Sequence, residues 1–206
     1  EQDARWALKK YFGRKENGSL WESIKKCFGF QLNLLVDAEY ELPLSFTVTP
    51  ANTSEVKQVE HVMNTFEKTH PEICQRAKYW IADRSYDSTA LYKDLWENHQ
   101  IKAIINIRNQ WKDGEATKAI PGYDNAVYDF QGTVSCVNLF SGELHEMYYG
   151  GFEASRDTLK YRCPAKEYGY ECRFSRECKL RSSIRIKRSL DYRVFTQVPR
   201  STSGWG

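Results

Sequence analysis

Long apolar runs are missing from this 206-residue chain. None approaches the roughly 20 residues that a membrane-spanning helix needs, so we expect no membrane partner. The first residues also lack the pattern of a signal peptide, which predicts a cytoplasmic protein. Internal repeats and low-complexity tracts are absent as well, and this excludes a repeat architecture.

Methionine is scarce, since Met63 and Met147 are the only two and residue 1 is Glu. The last residues, PRSTSGWG, contain no recognisable closing element. We therefore expect the sequence to be an excerpt of a longer protein. Its hydrophobic content of 41% and charged content of 28% are ordinary for a globular chain that buries one sizeable core.

Charge is unevenly distributed along the chain. The formal net charge is +3, but residues 151–206 contain 13 Lys or Arg against 6 Asp or Glu. A basic region of this kind fits a polyanionic partner, and it also fits a merely solvated surface.

Alternating apolar residues at 28–36 and again at 42–48 predict a β-hairpin. A helix is predicted from the cap at Asn52–Glu55 onward, and a second helix from about 88 to 98. Apolar strands are predicted at 78–83 and 101–108. The order β-β-α-β-α-β indicates an α/β fold in which helices pack on a mixed sheet. The hairpin needs a further partner strand, which we expect upstream of residue 1.

From residue 109 the pattern changes, because glycines separate short aromatic segments. We interpret 109–183 as a β-rich insertion that contains four of the six cysteines. The residues from 184 to 206 are predicted to return to the core.

Asp83 directly follows the apolar strand Tyr79–Ala82. It either ends the strand as a turn residue or sits at a sheet edge for chemistry. The other acidic residues have simpler interpretations: Asp37 occupies a turn, Asp3 lies outside any buried strand, and Asp87 caps the following helix with support from Ser88. Glu171 and Glu177 show no helical periodicity.

Several motifs together resemble the DDE transposases of bacterial insertion sequences. They are FGFQLNLLVDAEYELPLSFTVTPANTSE, ADRSYDS, IINIR and DARW, followed more loosely by GGFEASRDTLKYRCP and RVFTQVPRS. The resemblance implies a ribonuclease-H-like fold, with 1–108 as a catalytic core that lacks its first strand. It also implies that the chain stops before the final catalytic helix. Ser85 departs from the pattern, since the family usually has Gly there.

The same resemblance implies that Asp83 is a catalytic aspartate that binds Mg²⁺ (or Mn²⁺). Two such ions about 3.5–4 Å apart activate the nucleophile and stabilise the leaving oxygen. The family's first aspartate and last glutamate are expected outside this sequence, so the fragment is expected to be inactive. The whole protein would hydrolyse transposon ends and join them to target DNA, as a homodimer associated with the nucleoid. There are two alternatives: a ribonuclease-H-like nuclease without strand transfer, and a catalytically dead DNA-binding module.

Four cysteines fall within or near the insertion: Cys136, Cys163, Cys172 and Cys178. No C-x₂₋₄-C knuckle is present, so the usual zinc signature is missing. The four thiols either stay free and buried or form a structural Zn²⁺ site, with His145 as a substitute ligand. Cys27 and Cys74 are interpreted as core or surface thiols.

A basic cluster interleaved with aromatic residues covers 173–188. Clusters of this kind bind phosphate backbones in a salt-dependent way, and they also occur as solvated faces. The candidate DNA-binding residues are Arg173, Arg176, Lys179, Arg181, Arg185, Lys187 and Arg188.

Overall fold

The structure, a computed structural model, describes residues 3–172, 175, 176, 178, 180 and 182–202. The chain forms two compact units, Glu1–Ala77 and Lys78–Gly206, which are described separately. This division at residue 77 is not one of the predicted domain limits, and those limits stay a prediction.

The first unit is an antiparallel sheet with two helices. Its elements are β1 (Arg5–Arg14), β2 (Leu20–Val36), β3 (Pro43–Pro50), α1 (Glu55–Thr69) and α2 (Pro71–Arg76). The predicted hairpin is present as β2 and β3, which pair from Phe30↔Pro50 to Val36↔Pro43. The other half of β2 pairs with β1, from Arg5↔Gly29 to Arg14↔Leu20.

In the described residues β1 pairs with Leu20–Gly29 of β2 and not with the hairpin half Phe30–Val36, so the partner strand expected upstream of residue 1 stays a prediction. Strand β1 itself was not predicted because its alternation is broken. Trp6, Leu8 and Phe12 lie on one face, but Lys10 interrupts them and pairs with Glu22 at 3.0 Å. An exposed two-stranded ribbon needs no continuous apolar face, so the usual signal is weak.

Helix α1 packs on β3 as its apolar spacing predicts. Val59, Val62, Met63 and Phe66 are buried, and the Ser45 hydroxyl donates to the carbonyl of Val62 at 3.2 Å. The sheet face toward α1 is partly polar, whereas the more apolar face is exposed. The exposed side chains of that face include Phe30, Leu32, Leu34, Phe46 and Val48.

The second unit begins with a strand–helix–strand segment. Strand β4 (Tyr79–Ala82) leads through a 3₁₀ turn (Arg84–Tyr86) to α3 (Thr89–Glu97) and then to β5 (Lys102–Ile105). The two strands are parallel and pair from Tyr79↔Lys102 to Ala82↔Ile105. Leu91, Tyr92 and Leu95 on α3 are buried, as are Ala103 and Ile105 on β5. These two strands and this helix occur where the sequence predicts them.

The remainder of the second unit is rich in short antiparallel strands, as predicted for the insertion. One sheet contains β6 (Lys118–Ala119), β7 (Ala126–Tyr128), β8 (Val134–Val137) and β9 (Leu144–Glu146). Another contains β10 (Tyr148–Glu153), β11 (Thr158–Arg162) and β12 (Ser183–Lys187), with α4 (Pro164–Tyr168) after β11. Both sheets contribute to one apolar core, which also includes Val194 and Phe195.

The fold is thus mixed α/β, as predicted. Within the described residues, the hairpin is part of the three-stranded sheet of the first unit, and the parallel pair is a two-stranded sheet of the second unit. No helix in the described part of the chain is long and apolar enough to cross a membrane.

Candidate functional site

Asp83 lies at the carboxyl end of the parallel strand β4. Its backbone is extended, and the chain turns there into the 3₁₀ turn that it caps. The carboxylate Oδ1 accepts a hydrogen bond from the backbone N–H of Ser85 at 2.6 Å, and the side chain is exposed. The acid is therefore presented to solvent by a hydrogen-bonded strand end.

The surroundings of Asp83 favour its ionised form. Hydrogen bonds from the hydroxyl and the backbone N–H of Ser85 lower the pKa of the Asp83 carboxyl, and the charges of Arg108 and Arg84 lower it further. Slight burial acts in the opposite direction but is outweighed. The carboxyl is thus ionised at neutral pH, which is the form that binds cations.

Ser85 fits its position without backbone strain. Among the described residues, the non-glycine residues with positive φ are Glu41, Gln100 and Asp157. Position 85 therefore does not need a glycine here, and the substitution relative to the family pattern is neutral for the backbone.

The prediction that Asp87 caps α3 is wrong. Ser88 is the residue at the N-cap, and the side chain of Asp87 is fully buried. Its two oxygens accept hydrogen bonds from the Arg193 guanidinium, and Oδ2 also accepts from the backbone N–H of Arg108 at 2.9 Å. Arg193 donates in turn to the carbonyl of Arg108 at 3.0 Å. The chain after β5, at Arg108, and the C-terminal segment, at Arg193, therefore meet at the carboxylate of Asp87.

Arg200 on the C-terminal segment and Tyr92 on α3 complete this region, and their roles were missed in the sequence. Arg200 donates to the carbonyl of Ile105 at 2.9 Å and to the hydroxyl of Tyr92 at 3.1 Å. The Tyr92 hydroxyl donates to the same carbonyl at 3.1 Å. The available signal was the motif RVFTQVPRS, in which arginines flank apolar residues.

The other acidic residues stay outside the site. Asp37 accepts hydrogen bonds from the backbone N–H groups of Glu39 and Tyr40, which confirms its predicted role in a turn. Asp3 is exposed in a turn, and Glu171 is exposed and follows α4. Glu177 lies outside the described residues.

The four cysteines of the insertion are brought to one place. All four line a single cavity of about 310 Å³, together with His145 and Asn125. Burial, followed by the neighbouring thiol groups of Cys163, Cys178 and Cys172, raises the pKa of the Cys136 thiol to about 11. The remaining two, Cys27 and Cys74, are elsewhere; Cys27 is exposed and Cys74 is half-buried.

Only some of the described residues in the basic cluster are exposed to solvent. Arg176, Arg185 and Lys187 are exposed, while Arg188 is completely buried and its guanidinium donates to Asp157 at 2.9 Å. The prediction that Arg188 binds DNA phosphates is therefore wrong, because its side chain is buried. Arg173, Lys179 and Arg181 lie outside the described residues.

Arg185 is exposed but already occupied. Its guanidinium binds both carboxylate oxygens of Glu153, at 2.8 and 3.0 Å. Next to it, Lys187 and Tyr123 line a cavity of about 510 Å³.

Magnesium prefers carboxylate and water oxygens, and Asp83 supplies one such ligand. In the part of the chain that the structure describes, no three His, Cys, Asp or Glu side chains are arranged to hold a metal ion. The described residues therefore do not form a complete magnesium site.

Comparison with known proteins gives one match. The family model described as "Transposase DDE domain" matches residues 4–147, which is more than half of the chain and includes Asp83. No curated protein and no solved structure matches the chain.

Proposed function

We propose, since the chain belongs to the family of transposase DDE domains, that Asp83 is a metal-binding carboxylate of Mg²⁺-dependent DNA cleavage and strand transfer. The observation that carries this proposal is the position of Asp83: an exposed, ionised acid at the end of a parallel strand, inside the matched residues. A rigid strand end is a suitable anchor for a hard cation that keeps several water ligands.

Bound Mg²⁺ would supply an activated oxygen nucleophile and would stabilise the leaving oxygen of the phosphodiester. The protein's own contribution is to hold the carboxylate in one orientation. Ser85 does this by hydrogen bonding to Asp83, and the buried Asp87–Arg193 pair fixes the chain four residues further on.

The metal test uses Mn²⁺ as the probe. Paramagnetic Mn²⁺ is expected to broaden the amide resonances around residues 83–86 in the wild-type chain, and Asp83→Asn is expected to remove this broadening. Asp113→Asn is the matched control, because Asp113 is also exposed and also has a lowered pKa owing to Lys118. Equal broadening in the wild type and Asp83→Asn would refute the assignment.

We further propose that residues 1–206 alone do not cleave DNA, because the described residues provide one of the carboxylates that two-metal chemistry needs. A single-turnover assay with Mg²⁺ or Mn²⁺ on transposon-end duplexes tests this. Cleavage that disappears in Asp83→Ala would contradict inactivity and would support the role of Asp83. In an active preparation, joined products would indicate strand transfer, whereas nicks alone would indicate a nuclease.

DNA binding is assigned to the exposed part of the basic cluster, represented by Arg176 and Lys187 among the described residues. Each phosphate contact releases counterions, so each lost contact reduces the slope of log affinity against log salt by about one. We expect Lys187→Ala and Arg176→Ala to lower both affinity and this slope. Lys68→Ala, at an exposed position of α1, is the control. Unchanged slopes in both variants would exclude the cluster from DNA binding.

A catalytically inactive DNA-binding module is the second candidate, because the described residues place one metal-binding carboxylate, Asp83, at the strand end. The Mn²⁺ test distinguishes the two functions. An inactive module would bind DNA with the same dependence of log affinity on log salt, but Mn²⁺ would cause no broadening of amide resonances that depends on Asp83.

A further inference from the structure

The cavity lined by Cys136, Cys163, Cys172 and Cys178 connects three parts of the second unit. Cys136 lies on β8, Cys163 is the residue before α4, and Cys172 and Cys178 belong to the segment between α4 and β12. All are half-buried free thiols. Residues up to 42 positions apart in sequence thus place sulfur atoms around one void of about 310 Å³.

The cavity is partly open to solvent, and its four thiols are half-buried. Unliganded cysteines behave as small apolar residues. The walls here also include the polar residues Asn125 and His145, so the lining combines thiol, amide and imidazole groups that suit a bound ligand.

Asn125 provides an independent indication of a missing ligand. The residue is buried, with a relative exposure of 6%, and its buried Oδ1 has no hydrogen-bond partner in the described part of the chain. Its Nδ2 donates to the sulfur of Cys178 at 3.5 Å. A thiol is a weak acceptor, whereas a metal-bound thiolate is a strong one, and amide donors to such sulfurs are typical of the surroundings of metal sites.

We propose that this cavity is a structural zinc site in which Cys136, Cys163, Cys172 and Cys178 supply four thiolate ligands. Thiolates are soft ligands that select zinc, and a closed tetrahedral set of four sulfurs at about 2.3 Å is typical of structural sites. In the described residues the thiols line the walls without lying at metal-binding separations. Zinc would therefore draw them inward, and the cavity gives the space for that movement.

His145 is the remaining nitrogen ligand at the cavity. It lies directly opposite Cys136 in the β8–β9 pair, so the two side chains share a face of the sheet. Its Nε2 is 3.8 Å from a carboxylate oxygen of Glu143, at a half-exposed position. The four cysteines already fill a tetrahedral set, so His145 stays outside the coordination sphere.

Four thiolates around Zn²⁺ carry a net charge of −2, which needs compensation nearby. Residues 151–206 have seven more basic than acidic residues. The segment from Cys172 to Cys178 contains Arg176, and two of the proposed ligands enclose it. Zinc would thereby fix the position of the basic segment 172–178. The zinc site does not depend on whether this segment binds DNA.

Metal content tests the proposal. The reduced chain purified from zinc-containing medium is expected to hold one zinc per chain by mass spectrometric metal analysis. Cys172→Ser combined with Cys178→Ser is expected to lose it, whereas the matched double variant Cys27→Ser with Cys74→Ser keeps it. A zinc-free wild type with four titratable thiols, or zinc that survives the Cys172/Cys178 change, would overturn the site. Disulfides among the four cysteines would also overturn it.

Cobalt keeps the test valid if the cysteine variants fail to fold. Adding Co²⁺ to the metal-stripped wild type is expected to give the intense visible bands of tetrahedral cobalt and the ultraviolet charge-transfer band of cobalt thiolates, both displaced by Zn²⁺. His145→Ala is expected to retain one zinc. Loss of zinc in His145→Ala, together with retention in any single cysteine-to-serine variant of the four, would refute the four-cysteine set.

Discussion

Asp87 and Arg193 form a buried, bidentate ion pair across 106 positions of sequence. The carboxylate has no exposed area, and the guanidinium side chain is about one-tenth exposed. Burial alone would lower the pKa of Arg193, but the hydrogen bonds and charge of Asp87 outweigh it, so the pKa of Arg193 is raised. The guanidinium of Arg193 therefore keeps its positive charge despite its burial.

Asp87→Asn tests the energetic role of this pair. It leaves a buried guanidinium without its counter-charge, and we expect a loss of about 3–5 kcal/mol in the free energy of unfolding by denaturant titration. Asp113→Asn removes the exposed pair between Asp113 and Lys118 and is expected to cost far less, because solvent screens that pair. Similar losses in the two variants would show that the Asp87–Arg193 pair stabilises the fold no more than an exposed ion pair does.

Tyr92 should make stability fall at high pH. Burial raises its pKa from 10 to about 12, although the charge of Arg200 acts in the opposite direction. A phenol whose pKa rises on folding stabilises the protein below the unfolded pKa, and this contribution is lost as the pH rises from about 10 to about 12. The difference in free energy of unfolding between the wild type and Tyr92→Phe should therefore shrink by about 3 kcal/mol in that range. A constant difference would contradict the raised pKa.

Ser85→Gly restores the residue that is usual in the family and removes one hydrogen bond to Asp83. The pKa of Asp83 is expected to rise toward its ordinary value, and only partly, because the backbone N–H of residue 85 remains. The midpoint is measured by carbon NMR of the carboxyl group. Ser88→Gly is the control, since the Ser88 side chain makes no capping hydrogen bond. A midpoint that falls or does not move in Ser85→Gly would disprove the hydroxyl's role.

Gly132 allows a close approach between the turn that joins β7 to β8 and the chain at Val194. Its φ is +93°, and a Cβ there would lie 2.6 Å from the carbonyl oxygen of Val194. Gly132→Ala therefore combines backbone strain of about 1–2 kcal/mol with a clash against the backbone. Gly122→Ala has a similar φ of +84° but open space, and it is expected to show the strain alone. Equal midpoints of thermal unfolding in the two variants would mean that the chain at Val194 moves enough to relieve the clash at no cost.

The elements near Asp83 could be predicted because their signals are local. Short apolar runs predict β4 and β5, and the spacing of Leu91, Tyr92 and Leu95 predicts α3. The position of Asp83 at a strand end follows from the same pattern. Its ionisation also depends on Arg108, which is distant in sequence, so the electrostatics needed the structure.

The role of Asp87 could not be predicted for a related reason. An Asp next to a Ser before a helix has the sequence pattern of a cap, and no local feature distinguishes a cap from a buried ion pair. The partner, Arg193, is identified only by the fold. Strand β1 was missed because Lys10 interrupts its apolar face. The convergence of the cysteines stayed one of two alternatives, because their spacing lacks the usual C-x₂₋₄-C zinc knuckle.

The geometry at Asp87 has a consequence for how this chain can vary. Because Arg108 and Arg193 meet at the same carboxylate, the 84 residues between them begin and end at one point of the second unit. A segment anchored in this way can gain or lose length with little entropic cost, since closing a loop depends only weakly on its size. We expect relatives to differ most in length between these two arginines, while the strand end that carries Asp83 keeps its shape.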